Sequence, residues 1–117
     1  MRVEIPYFTG CPNYAPLPAQ IAGLLAGAGI AAEVQPRVVE SDRAAQDARF
    51  LGSPSVRING YDVEPGAEAR TDYGLKCRLY RTADGISGRP ADHWILAAAR
   101  HATTQSPRAA EPATPAG

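Results

Sequence analysis

Residues 52–63 read GSPSVRINGYDV. Val56 and Ile58 alternate with polar neighbours up to Asn59-Gly60, and Tyr61 and Val63 alternate away from it. Asn-Gly between two alternating runs is a strong hairpin signal. The two-residue turn that matches the strand twist needs positive φ at both central positions, which Asn and Gly tolerate. A hairpin supplies two antiparallel strands, and the residues before it decide what sheet they join.

Upstream, RVEIPYF (residues 2–8) alternates in part, with Val3, Ile5 and Tyr7 facing one way. It reads as a strand, although Pro6 disfavours a fully paired central position. Residues 16–29 carry Leu17, Ile21, Leu24, Leu25 and Ala28 at helical spacing and predict an amphipathic helix. Pro16 and Pro18 belong in its first turn, and Gly27 and Gly29 end it. IAAEVQPRVVE is a second strand interrupted by Pro36, and SDRAAQDARFL is a short helix capped by Ser41 or Asp42. A βαβ unit makes its two strands parallel, with a right-handed crossover. The expected architecture is α/β: a mixed four-stranded sheet, βαβ plus hairpin, with helices on both faces.

Downstream, residues 65–90 are glycine-rich and irregular. KCRLYR is a short strand candidate and TADGISG contains an Asp-Gly turn signal. PADHWILAAARHA closes the fold as a helix with Trp94, Ile95 and Ala98 on one face. From Thr103 the chain loses apolar periodicity and gains three prolines, so residues 1–102 read as one domain and 103–117 as a disordered tail.

The 117 residues carry 12 basic and 12 acidic side chains, and all the basic ones but Lys76 are arginine. No block of like charge exceeds two residues, which argues against a nucleic-acid partner or an anionic membrane surface. No signal peptide or membrane span is legible, so the expected setting is soluble and cytoplasmic. Two cysteines in a reducing compartment are more often reactive, ligating or buried than a structural staple.

The element order and two motifs together resemble the thioredoxin-like superfamily, and glutaredoxins most closely. In YFTGCPNY, Cys11 and Pro12 match the first two positions of the C-P-x-C motif of glutaredoxins, and Tyr14 stands where the second cysteine would be. The resemblance is therefore to a monothiol variant. In GSPSVRING, Pro54 occupies the place of the cis-proline that faces the active cysteine in this superfamily. The likeness covers residues 2–63 and the last helix. Residues 65–90 replace the short glycine turn that helps glutaredoxins hold glutathione, so glutathione binding is not carried over. The pattern also resembles small bacterial thioredoxin-like proteins of unknown role, some of which bear the label alkylmercury lyase. The resemblance implies Cys11 as the catalytic thiol, with Pro12, Asn13, Tyr14, Ser53 and Pro54 around the substrate.

The thiolate is the form that attacks disulfides and binds soft metals. A helix beginning at Pro12 or Asn13 would put Cys11 at its cap and stabilise that anion, whereas a start at Pro16 leaves Cys11 on a loop with weaker help. The bland reading of Cys11 is a small packed residue. In the inferred fold the hairpin returns the chain to the Cys11 end and delivers residues 65–90 beside it. Cys77 is then the candidate resolving cysteine, or else, flanked by Leu75 and Leu79, it anchors the loop on the core. Tyr7, Tyr14, Tyr73 and Tyr80 are candidates to line the groove near Cys11, and Tyr61 reads as a hairpin packing residue. Arg70, Arg78 and Arg81 suggest a mildly basic loop surface. His93 and His101 do not have metal-ligand spacing, and no metal or cofactor is implied.

Three functions compete. The first is a thiol-disulfide oxidoreductase acting on a protein disulfide or a low-molecular-weight thiol. The second is a non-catalytic binding module on the same frame, and the third is capture of a soft metal or organomercurial by two thiolates.

Overall fold

The computed structural model describes residues 1–105. Its elements are β1 (Arg2–Tyr7), α1 (Leu17–Gly27), β2 (Glu33–Val38), α2 (Asp42–Asp47), β3 (Arg57–Ile58), β4 (Tyr61–Asp62), a 3-10 turn at Ala67–Ala69, β5 (Tyr80–Thr82), β6 (Gly85–Ser87) and α3 (Asp92–Gln105). The fold is mixed α/β. The main sheet has the order β2-β1-β3-β4. β1 and β2 are parallel from Arg2↔Glu33 to Tyr7↔Val38, and β3 runs antiparallel to both β1 and β4.

Two prolines fit for different reasons. Pro36 lies in β2, an edge strand, where a missing amide proton is tolerated. Pro6 lies in β1, which is central, but at a position that is not fully paired, in keeping with the reading of its proline. β3 pairs with β1 only at Val3↔Ile58 and Glu4↔Arg57, so Pro6 falls beyond that ladder, and its carbonyl accepts from Ser55 N–H at 2.9 Å.

Helix α1 begins at Leu17 with Pro16 as its N-cap residue, and Ser41 Oγ caps α2 by accepting from Ala44 N–H at 3.0 Å. Asn59 and Gly60 adopt φ of 51° and 90°, as a two-residue turn of this kind requires. Val3, Ile5, Leu17, Ile21, Leu25, Val56, Ile58, Val63, Ile95 and Ala99 form the main core between the sheet, α1 and α3. Each such large aliphatic side chain contributes roughly 1.5–3 kcal/mol by leaving water. α2 builds a separate cluster from Val39, Ala45 and Phe50, against which Leu75 packs.

Two expectations are corrected. Tyr61 is not a packing residue: it is 79% exposed on the outer side of β4. The strand expected in KCRLYR begins only at Tyr80. It pairs with β6 around an Ala83-Asp84 turn to make a two-stranded sheet separate from the main one. Helix α3 ends at Gln105. The rest of the expected tail lies outside the described residues.

Candidate functional site

Residues 51–56, LGSPSV, are buried at every position. A buried irregular segment must find partners for its backbone groups, because an unpaired buried amide or carbonyl is costly. Ser55 Oγ donates to Gly52 O at 2.7 Å, and Ser55 N–H donates to Pro6 O. Ser53 N–H donates to Lys76 O at 2.8 Å, and Ser53 O accepts from Arg78 N–H at 2.9 Å. Tyr80 O–H donates to Pro54 O at 2.6 Å. The segment Lys76-Cys77-Arg78 thus pairs as an isolated parallel bridge, Ser53↔Cys77, along residues that would otherwise carry unmet polar groups. The Ser53–Pro54 peptide bond is cis.

Alternation fixes the orientation of this strap. Arg78 and Tyr80 point inward and are essentially unexposed, while Cys77 and Leu79 point outward. The expected basic loop surface is therefore wrong at Arg78, and the expected anchoring of the loop by Cys77 between its flanking leucines is wrong at Cys77, which is exposed, and at Leu79, which is 64% exposed. Arg78 and Tyr80 are the anchors. Arg78 donates to Asp62 through both terminal nitrogens, at 2.7 and 3.0 Å, to Glu64 Oε1 at 2.7 Å and to Ser55 Oγ at 2.9 Å. Its guanidinium carbon lies 4.5 Å from the centre of the Tyr80 ring, in cation–π range.

Burial pulls the Arg78 guanidinium down, yet the hydrogen bonds it donates to Asp62 and the neighbouring negative charges leave it held above its ordinary value. Among the described residues its Nε is the buried side-chain polar atom without a hydrogen bond. The network continues outward through Arg70, which binds Glu64 and Asp72, to Lys76, which binds Asp72. Hydrogen bonds from Arg70 and then Lys76 hold the Asp72 carboxyl below the usual carboxylate range.

Cys11 lies in a turn, not at a helix cap. Residues 12–16 form turns before Leu17, so Cys11 stands outside the first turn of α1, where the helix-end field has fallen off. Its amide donates to Phe8 O at 3.2 Å, and Phe8 N–H donates to Ser53 Oγ at 3.3 Å. Phe8 therefore ties the Cys11 turn to Ser53. Cys77 is tied to Ser53 in turn through the backbone bridge Ser53↔Cys77. The two cysteines approach Ser53 from different parts of the chain, and both are free thiols.

Of the residues expected around the site, Pro12 and Asn13 are exposed on the Cys11 turn. Tyr14 stacks on Tyr7, with ring centres 3.7 Å apart and planes 5° from parallel. Burial raises the Tyr14 hydroxyl, and Tyr7 adds to the shift. Ser53 and Pro54 are buried, and Ser53 has both backbone groups engaged. Ser55 is committed to Gly52 and Arg78. Residues 87–90 do return beside Cys11, with Gly88 against the Asn13 amide and Arg89 donating to Gln20 Oε1 and to Asp92. Tyr73 does not join this group. With Tyr61, His93 and Trp94 it lines a groove of about 1210 Å³ between the β3–β4 hairpin and α3, and that groove includes neither cysteine.

No cluster of three or more metal-ligating side chains occurs among the described residues. No helix among them is long and apolar enough to cross a membrane. Comparison of the chain with family models, curated proteins and solved structures finds no match.

Proposed function

We propose that the chain is a thioredoxin-like protein that carries out thiol–disulfide exchange, with Cys11 and Cys77 as its thiol pair. One observation carries this reading: the Cys11 turn and the Cys77 strand are both tied to Ser53, the first through Phe8 and the second through a backbone bridge. The chemistry is balanced. One thiolate attacks an external disulfide, forming a mixed disulfide and releasing one thiol. The second attacks the mixed disulfide, forming Cys11–Cys77 and releasing the other thiol. The protein loses two electrons and the substrate gains them. A protein disulfide or a low-molecular-weight disulfide fits this chemistry, and a dithiol reductant returns the pair to the free state. A reducing, cytoplasmic setting suits a pair that rests as free thiols.

The test is mass spectrometry of the full chain after equilibration with excess oxidised glutathione. The expected product lacks two hydrogens and yields a disulfide-linked peptide containing Cys11 and Cys77. Two free thiols after that treatment, or glutathione held stably on either cysteine, would sink the proposal.

A further inference from the structure

The two thiols of the proposed pair differ in what can reach them. Cys11 retains 9% of its exposure. Its turn is hemmed in by residues 87–90: a Cβ added at Gly88 would lie 2.3 Å from Asn13 Nδ2. Cys77 is exposed, and it is held so by the inward anchoring of Arg78 and Tyr80 on the same strand. The backbone beside Cys11 is also closed to an incoming chain, because Ser53 N–H and C=O are taken by Lys76 and Arg78. Thiol–disulfide exchange needs the thiolate to reach a sulfur of the substrate, so access decides which thiol reacts first.

Resting on the thiol-pair reading, we infer that Cys77 is the thiol that meets the external disulfide and that Cys11 resolves it. The Cys77 thiolate attacks the substrate disulfide, forms Cys77–S–S–R and expels one RS⁻. Cys11 loses its proton to solvent and attacks Cys77 Sγ. The Cys11–Cys77 bond forms and the second RS⁻ leaves. This order reverses the roles implied by resemblance, in which Cys11 attacks first. Residues 76–78 are then the reactive strand as well as the strap over Ser53.

The probe is 5,5′-dithiobis(2-nitrobenzoate), reacted with the full chain and with the Cys11→Ser and Cys77→Ser variants. Each rate of chromophore release is divided by the rate for the same variant in urea, which cancels intrinsic thiol chemistry. The expected result is a normalised rate at least about tenfold higher for Cys11→Ser than for Cys77→Ser, because exchange tracks access. Cys11→Ser should keep one label. The unmodified chain should release two equivalents and keep none. A Cys77→Ser rate equal to or above that of Cys11→Ser, with an unlabelled disulfide still forming in the unmodified chain, overturns the order alone. An unmodified chain that keeps two labels overturns the thiol pair and the order with it. If a serine variant fails to fold, Cys11→Ala and Cys77→Ala give the same comparison.

Discussion

Arg78→Leu removes the cation at the centre of the strap and leaves its partners behind. The Arg78 side chain is unexposed, and the side chains of Asp62 and Glu64 keep 13% and 17% of their exposure. Breaking a buried pair from one side costs about 3–5 kcal/mol, because the remaining charge loses its partner without regaining water. Asp62 and Glu64 retain some solvent contact, so the lower end applies, about 3 kcal/mol. A domain of this size has roughly 5–15 kcal/mol in total, so this loss is a large share. It corresponds to a fall in melting temperature of about 12–24 °C, at roughly 4–8 °C per kcal/mol for domains of 60–100 residues. The assay is urea unfolding followed by far-ultraviolet circular dichroism, where the midpoint should fall by roughly 1.5 M for a slope near 2 kcal/mol/M. The companion variant adds Asp62→Asn and Glu64→Gln, which removes the orphaned charges and should recover part of the loss. A loss below about 1 kcal/mol for Arg78→Leu, or a triple variant no more stable than the single one, would refute the assignment of Arg78 as the anchor.

Tyr80 should be the last tyrosine to ionise, since burial raises its hydroxyl, Arg78 opposes the shift, and Asp62 and Glu64 add to it. A pKa raised in the folded state stabilises fully below the unfolded value of about 10 and loses that contribution as pH rises above it. Ultraviolet titration should therefore show a late step coincident with unfolding. Tyr80→Phe should abolish the step and cost about 1 kcal/mol at neutral pH through the lost bond to Pro54 O. A Tyr80 that titrates with the exposed tyrosines would contradict this. Two glycine substitutions should differ in thermal melts. At Gly52 φ is +128° and an added Cβ would fall 2.9 Å from Arg78 Cβ, so Gly52→Ala should cost roughly 1–3 kcal/mol. At Gly88 the obstacle is the end of the Asn13 side chain, which can rotate away, so Gly88→Ala should cost less than about 1 kcal/mol. The opposite order would be inconsistent with the packing described.

The four strands of the main sheet, a parallel pair and a hairpin, were legible because their signals are local. Asn59-Gly60 specifies the hairpin, and the helical spacing of Leu17, Ile21 and Leu25 specifies the crossover between parallel strands. Pro6 signalled incomplete pairing, and the neighbouring strand does stop short of it, but where that strand stops is a tertiary matter. Arg78 misled. Arginine is ordinarily exposed, and its burial depends on two carboxylates that reach it only after the hairpin has folded. A signal was present all the same: Asp62 and Glu64 alternate on the returning strand, and Arg78 and Tyr80 alternate on the strap with Cys77 and Leu79 between them. Cys11 and Cys77 were both readable as candidates. Their relation through Ser53 was not, because it rests on backbone bonds that any residue types could make.

Trp94 is the only tryptophan in the chain. Its ring centre lies 6.3 Å from that of Tyr80 and 5.8 Å from that of His93. The indole therefore touches the strap on one side and its own helix on the other. Excitation absorbed by Tyr80 passes readily to an indole at that separation. The protein thus carries a built-in optical reporter at the seam between the strap and α3. Its emission changes when Tyr80, and with it the strap, leaves α3.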